Sequence, residues 1–392
     1  MNRFKQIDIL RAFAVFLVLG RHMKPCPPEC HGWFYQISRI WVQGGWVGVD
    51  LFFVLSGFLV SGLLFREYEK YHELRLGRFL IRRGFKIYPP FWLLIAVSVT
   101  LLTLHRVHVF WPAVASELLF VQNYGPNLWN HTWSLAVEEH FYLLLAFSLF
   151  ILGRRRSTDP FTMIPAAFVI LAILCLLLRV FGQPHAPFDL KAHAFRTHLR
   201  LDGLFFGVFL SYVFHRHPLW FISTARRFRY TLVGMGVVLL FPAFCFPIEE
   251  TPALTTYGIT LFYLGGGCLL CAALGFPLDG NDGARAVAYI GSQSYSIYLW
   301  HMQVSIWVTA LVTRHLSQPD NWPLYAALYL IGSLVFGMVM AILVEGPVLR
   351  FRNRYFPSRV KPLGFDAKKA DANGLIVTRI DETGADPILN DV

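Results

Sequence analysis

Charge is what this 392-residue chain has least of. Only 15% of its residues are charged, against about 25% in an ordinary soluble domain. A water-facing globule of this length is thereby excluded. Acidic residues are the scarcer sign, 24 Asp and Glu against 35 Lys and Arg. Cysteine is sparse as well, and the six present make no disulfide framework. Cys175, Cys245, Cys268 and Cys271 fall in apolar runs and read as packing residues. Cys26 and Cys30, in the run CPPEC, can pair in an oxidising compartment. His22, Cys26, Cys30 and His31 superficially resemble a zinc set, but their spacing matches no common site, so no metal is expected. Internal repeats are missing, both at solenoid periods and as two similar halves. That weighs against transporters built from inverted repeats. No polar stretch is long enough to bury a second, soluble core.

What the chain has is apolar sequence: 55% of its residues are hydrophobic. They fall in runs of the length that crosses a bilayer, about 20 residues. Ten segments qualify: 6–23, 46–65, 87–105, 133–152, 161–181, 197–214, 230–247, 255–276, 290–312 and 323–344. The sixth is the weakest, because its first half is polar. The expected fold is an all-α polytopic membrane protein of about ten transmembrane helices. Residues 1–345 would form the membrane domain, and 346–392 a cytoplasmic basic segment with a flexible tail. The net charge of +11 and pI of about 9.5 would suggest nucleic acid in a soluble protein. Here the basic clusters at 66–86, 154–156, 216–229 and 350–361 all fall on one side of a ten-span topology. That is the positive-inside bias, so both termini are expected in the cytoplasm and no nucleic-acid partner is expected. No small-x-small cleavage site follows Gly20, so the first span is expected to stay as an anchor. The outer loops 24–45 and 106–132, rich in Pro, Gly, Trp and Asn, read as ordered. Residues 66–86 read as a basic amphipathic inner loop, with Pro89-Pro90 in the first turn of the next span, where Pro is tolerated.

Ionisable residues inside spans are costly and usually face a bundle interior or a wet cavity. Arg11 and His22 are the clearest pair. Eleven residues of helix advance about 16 Å and complete roughly three turns, so both line one stripe. Asp8 and Arg11, spaced i, i+3, can pair on one helix face. His22 has the side chain best suited to general-base work near neutral pH. Asp50, near the outer end of the second span, can orient it as a supporting carboxylate. Ser56 reads as a helix-crossing residue rather than a nucleophile, and Gly48, Gly57 and Gly62 allow close helix approach. Arg78, Arg82, Arg83 and Lys86 recur at the membrane surface and fit either lipid headgroups or a seat for phosphates. Glu138 and Glu139 diverge by about 100° around their helix, so one is expected to face a polar site and the other a loop or headgroups. His198, Arg200 and Asp202 gather on the outer side of the sixth span. Tyr295, Tyr298 and His301 interrupt the ninth.

These residues resemble the signature of acyltransferase family 3, bacterial integral-membrane O-acyltransferases that modify cell-envelope glycans. Ile7 to His22, with its Arg11 and His22, is similar to the family's first-helix motif. GVDLFFVLSGFL at 48–59 is similar to its second. RRGFKIYPPFW resembles the basic Arg-x-x-Arg segment, TWSLAVEEHFYLL the Trp-Ser-Leu-x-x-Glu-Glu segment and YSIYLWH the Tyr-x-x-His segment. The second Arg of Arg-x-x-Arg is Lys86 here, which keeps the charge and loses the planar fork. The chain resembles the stand-alone form, without a fused esterase-like domain.

The resemblance implies a multi-pass protein of the bacterial cytoplasmic (inner) membrane. It would transfer an acyl group, most often acetyl, from cytoplasmic acyl-CoA to a hydroxyl of an envelope saccharide or related acceptor. Acetyl-CoA or another acyl-CoA is then the co-substrate, with Arg11, Arg82, Arg83 and Lys86 binding it. His22 is the expected base, supported by Asp50, Glu138 and Glu139. Trp133, Ser134, Asp202, Tyr298 and His301 are the expected acceptor-binding residues. Expected partners are acyl-CoA, an extracytoplasmic or lipid-linked glycan and membrane lipids. The alternative is a transporter or flippase for a lipid-linked sugar, which would also use intramembrane ions and basic inner loops. An inactive lipid-binding or scaffold protein is the third reading.

Overall fold

The computed structural model describes residues 5–26, 32–154, 159–182, 188–277, 282–315 and 322–360. Among them there is no strand. The helices run in chain order as α1 (Lys5–His22), α2 (Trp33–Gly44), α3 (Val47–Tyr71), α4 (Leu76–Leu104), α5 (Trp111–Leu118), α6 (Trp133–Gly153), α7 (Ile164–Phe181), α8 (Leu201–Arg216), α9 (Pro218–Arg227), α10 (Arg229–Cys245), α11 (Ile259–Gly275), α12 (Asp282–Ser292), α13 (Ser294–His315), α14 (Trp322–Met340) and α15 (Gly346–Tyr355). Each of the ten expected segments is helical. Six helical spans are long and apolar enough to cross a membrane, and α9 with α10, bent by 77°, makes a seventh if the pair is one span. The chain is a multi-pass membrane protein, and by this measure the described residues hold six or seven long apolar helices against the roughly ten spans expected. α1 falls short because Lys5, Asp8, Arg11 and Arg21 all lie within its 18 residues. α8, at 16 residues, is too short.

Apolar surface is distributed by position in the bundle. α3 is the most enclosed of the six spans and α7 the least. Val169, Ile170, Ile173, Leu174 and Leu177 of α7 point outward, as suits a helix solvated by acyl chains. α3 and α8 cross closely through Gly57 and Gly207. A methyl at either position would meet the other helix's backbone, Leu204 from one side and Val54 from the other.

Two expectations about connections change. The stretch 66–86 is not a loop: α3 continues to Tyr71 and α4 starts at Leu76. Pro89 and Pro90 therefore sit inside α4, not in its first turn. Their missing amides leave the Phe85 and Lys86 carbonyls without helical donors, a loss that packed neighbours make tolerable in a membrane bundle. The two outer connections contain the short helices α2 and α5. α15 packs on α4, with Phe85 between Phe351 and Phe356. The expected tail from Lys361 and the Cys30 and His31 of the zinc-like set lie outside the described residues.

Candidate active site

α1 ends on His22. Its ring Nδ1 lies 3.1 Å from the Val18 carbonyl oxygen, one turn back. A carbonyl only accepts, so Nδ1 carries a hydrogen, and in the neutral ring Nε2 keeps the lone pair. Two more imidazoles close around it. The His301 ring of α13 is 4.9 Å from His22 between centroids, the His131 ring 6.3 Å, and those two are 5.0 Å apart. His301 Nδ1 donates to the Tyr298 carbonyl at 2.5 Å, and His131 Nε2 to the Leu299 carbonyl at 3.3 Å. Both rings are buried, while His22 keeps some exposed surface. His301 Nε2 and His131 Nδ1 meet no partner among the described residues.

His131 reaches this place from the turn before α6. Glu117 of α5, wholly buried, gathers that turn on one oxygen. Its Oε1 accepts from the Leu128 and Trp129 amides at 3.1 Å each and from Thr132 Oγ1 at 2.9 Å. Burial pushes this carboxyl up to about 7, against the pull of the three donors. From the other side the Tyr298 hydroxyl donates to the His131 carbonyl at 2.5 Å and takes a hydrogen from Ser134 at 2.7 Å.

One to two turns further along α6 stand Glu138 and Glu139, as their spacing requires on different faces. Both stay within the protein, contrary to the expectation that one reaches a loop or headgroups. Glu138 accepts from Tyr142 at 3.2 Å, and the same hydroxyl shares a 2.9 Å hydrogen bond with Ser56. Glu139 accepts from the Tyr88 hydroxyl at 2.8 Å. Arg83 lies over the Tyr142 ring at 5.4 Å and the Phe79 ring at 5.9 Å, and it acts on Glu138 together with Arg11. Arg11 is paired with Asp8 at 3.6 Å, as the i, i+3 spacing anticipates.

The basic end of the bundle divides its cations. Arg82 donates to the Phe356 carbonyl, and Lys86 pairs with Glu345. Glu345 also accepts from Ser296 at 2.9 Å. Arg83 has no ion pair or hydrogen bond among the described residues. Arg78 crowds Arg82, and Arg352 of α15 faces both Arg82 and Arg83. Like charges held together with so few carboxylates favour an anionic ligand.

Asp50 and Asp202 sit elsewhere. Asp50 Oδ1 accepts from Arg200 at 2.7 Å, and no hydrogen bond joins it to His22 among the described residues. The carboxylate is drawn off by a cation of its own that arrives 150 positions later. Asp202 is fully buried and bonded to Arg179 at 2.8 Å, so it presents no open face to an acceptor. Arg179 also donates to the Leu199 carbonyl and to Thr260. Trp133 belongs with this group: Arg200 stacks over it and over Phe53, each at 5.5 Å, and its other neighbour, Phe195, lies parallel at 4.4 Å.

The structure thus brings His22, Ser134, Tyr298 and His301 together, gathers Glu138, Glu139 and Arg83 beneath them, and sets Asp50, Trp133 and Asp202 in a separate ion cluster. His131, Tyr88, Tyr142, Glu345 and Arg352 were not anticipated. His131 had a sequence signal, an ionisable residue immediately before an apolar run. Tyr142 had one too, since it stands one helical turn after Glu138; Tyr88, Glu345 and Arg352 had none, because their partners lie far along the chain. Among the described residues no group of His, Cys, Asp and Glu has a metal-holding arrangement.

His22, His131 and His301 thus form a cluster of three imidazoles inside the helical bundle. A family model described as an acyltransferase domain matches residues 4–342. The chain belongs to this acyltransferase family 3. It is similar to the peptidoglycan O-acetyltransferase OatA of Listeria monocytogenes, 26% identical over 91% of this chain and 59% of the relative. It is also similar to YrhL of Bacillus subtilis, provisionally named for the same activity, at 27% over 90% and 56%. A provisionally named O-acetyltransferase of Staphylococcus aureus is 24% identical over 78% and 51%. The chain spans 51–59% of the length of these relatives. No solved structure matches it.

Proposed function

We propose that the protein transfers an acyl group, acetyl by similarity to the relatives' names, from cytoplasmic acyl-CoA to a hydroxyl of an envelope glycan. The observation that carries this reading is the tautomer of His22. Its Nδ1–H is committed to the Val18 carbonyl, so Nε2 is ready to take a proton without a preceding rearrangement. Coenzyme A is a polyphosphate, and the cation cluster of Arg78, Arg82, Arg83 and Arg352 suits its phosphates. Arg83 is the primary contact, because Arg82 and Lys86 already serve the Phe356 carbonyl and Glu345. The relatives' names point to peptidoglycan, and a saccharide hydroxyl is the acceptor class.

In this mechanism His22 Nε2 takes the hydroxyl proton as the oxygen attacks the thioester carbonyl. The C–O bond forms, the C–S bond breaks, and the departing thiolate receives the proton from the imidazolium. Ser134 and Tyr298 hold the His131 turn beside the reacting atoms. Glu138 and Glu139, hydrogen-bonded to Tyr142 and Tyr88, line the path between the cations and the imidazoles.

The test is thiol release from radiolabelled acetyl-CoA by the purified protein in lipid nanodiscs, with water as the stand-in acceptor. His22→Gln is expected to lose about 10²-fold or more of the rate while the melting temperature and acetyl-CoA binding stay as in the wild type. Equal rates in the two proteins would end the proposal.

A further inference from the structure

Three imidazoles within a few ångströms of one another are more than one general base requires. Each has one ring nitrogen tied as a donor to a main-chain carbonyl: Val18 for His22, Tyr298 for His301 and Leu299 for His131. In its neutral form each ring then has one lone pair left, on the other nitrogen. For His301 the free atom is Nε2 and for His131 it is Nδ1, and both are buried without a partner among the described residues. A buried acceptor left unsatisfied is costly, and two in one place are a feature that needs a role. Neutral carbonyl-tied rings whose centroids lie 4.9–6.3 Å apart suit a group that arrives carrying a proton. His22 becomes such a group each time it deprotonates a hydroxyl.

We infer that His131 and His301 are positioning residues that hold, with His22, the single proton removed from the acceptor hydroxyl, so that the proton belongs to the trio of rings rather than to His22 alone. This rests on the proposed acyl transfer with His22 as base. The new N–H of His22 is stabilised by the lone pairs of His131 Nδ1 and His301 Nε2, directly or across one water. Charge repulsion between neighbouring imidazoliums limits the trio to one proton. That proton leaves to the departing thiolate, which balances the step: one proton taken from the hydroxyl, one given to sulfur, no net change in the rings.

The other titratable and charged groups about the trio do not compete for this role. Arg21 on α1 is engaged by Glu249 and the Val42 carbonyl. From α14, the Tyr329 hydroxyl bonds the Leu19 carbonyl, and Tyr325 bonds Ser305 and lies beneath Lys24. Tyr298 of α13 serves Ser134 and the His131 carbonyl. Asp50 of α3 serves Arg200. Glu138 of α6 serves Tyr142, and Glu117 of α5 holds the turn.

The free nitrogens specify the variants. An Asn oxygen lies where His Nδ1 lies, and a Gln oxygen where His Nε2 lies. His131→Asn and His301→Gln therefore keep an acceptor at the unpartnered position, whereas His131→Phe and His301→Phe remove it. The experiment is a 15N-imidazole titration of the protein in nanodiscs, with the His22 signal assigned by its loss in His22→Gln. Thiol release from acetyl-CoA is followed across pH in the same samples. One hydrogen bond to the imidazolium corresponds to a midpoint shift of about one pH unit. The His22 midpoint is expected to fall by about that much in His131→Phe. The acid limb of the rate profile should move down with it, because a weaker base stays neutral to lower pH. The rate at the plateau should drop about tenfold or more. His131→Asn should restore most of both, and the His301 pair should behave alike.

An unchanged His22 midpoint in both Phe variants would overturn the inference whatever the rates do. So would Asn and Gln variants that behave like Phe. If the wild type releases no thiol while the midpoint still moves, the trio stands and the acetyl-CoA reading falls.

Discussion

Two buried ion clusters lie side by side in this bundle and are built on opposite plans. In the first, Arg179 meets Asp202 and Arg200 meets Asp50, with each charge facing its opposite at 2.7–2.8 Å. Aromatic faces of Phe53 and Trp133 cover Arg200. In the second, among the described residues, Arg83 makes no ion pair, Glu138 is held by the hydroxyls of Tyr142 and Ser56, and two imidazole nitrogens have no partner. The closed cluster resembles a clamp between helices, since α8 is joined to both α3 and α7 through it. The open one leaves bonding capacity for something that arrives. The first cluster also has polar atoms without a hydrogen-bond partner among the described residues, Asp50 Oδ2 and Arg200 Nε, so what separates the two is the pairing of opposite charges: paired buried charges hold a fold, and an unpaired one leaves room for a ligand.

The comparison breaks first at Asp202. Asp202→Ala leaves the Arg179 guanidinium buried without its carboxylate and should destabilise the protein by about 3–5 kcal/mol, read as a lower unfolding midpoint in detergent. An Asp202→Ala protein as stable as the wild type would mean that the closed cluster is no clamp. Arg83 should do the reverse. Arg83→Ala should raise the KM for acetyl-CoA by about tenfold or more without lowering the melting temperature, and Arg83→Lys should recover only part, because the fork is lost. Lys86→Ala strands Glu345 and should show mainly as lost stability. If Arg83→Ala instead unfolds the protein and spares KM, the two clusters are alike.

A smaller effect sharpens the pH dependence of the turn that carries His131. The Glu117 carboxyl is raised to about 7 from an ordinary value near 4.3. Protons then bind the native state more tightly than the unfolded one. This contribution to stability is complete below the ordinary value and is lost as pH rises through about 7. Glu117→Gln keeps an oxygen for the three donors and removes the charge. Its melting temperature should match the wild type at pH 4 and exceed it at pH 8, on the order of a few degrees. Parallel curves would mean that Glu117 is charged at little penalty. The smallest effect belongs to the exposed pair Arg75–Glu73, 3.7 Å apart. Its removal should change stability by less than about 1 kcal/mol, measurable as an unchanged melting temperature, and it calibrates the scale for the buried clusters.

Much of the architecture was legible in the order of residues. Ten apolar runs became ten helical segments, because an isolated backbone in hydrocarbon has to satisfy its own hydrogen bonds. The Arg11–His22 stripe and the Asp8–Arg11 pair follow from helical period alone. The basic stretch 66–86 was misread as a loop because its polarity hid helical continuity through Pro89-Pro90. Among the described residues fewer helices than apolar runs pass as long and apolar throughout, because α1 carries four charges and α8 is short.

What the sequence determined by itself was local: helix positions, the scarcity and placement of charge, and the family signature carried by five short runs. What only the tertiary structure decided was who meets whom. Asp50 reads as a partner for His22 along the chain, yet Arg200, 150 residues away, takes it. His131 reads as a loop residue, yet its ring bonds Leu299 across 168 residues and completes the imidazole trio. The reason is physical. Periodicity fixes the face of a helix on which a side chain stands, but a buried polar group takes the partner that packing brings within hydrogen-bonding distance, and that choice is made between helices, not along them.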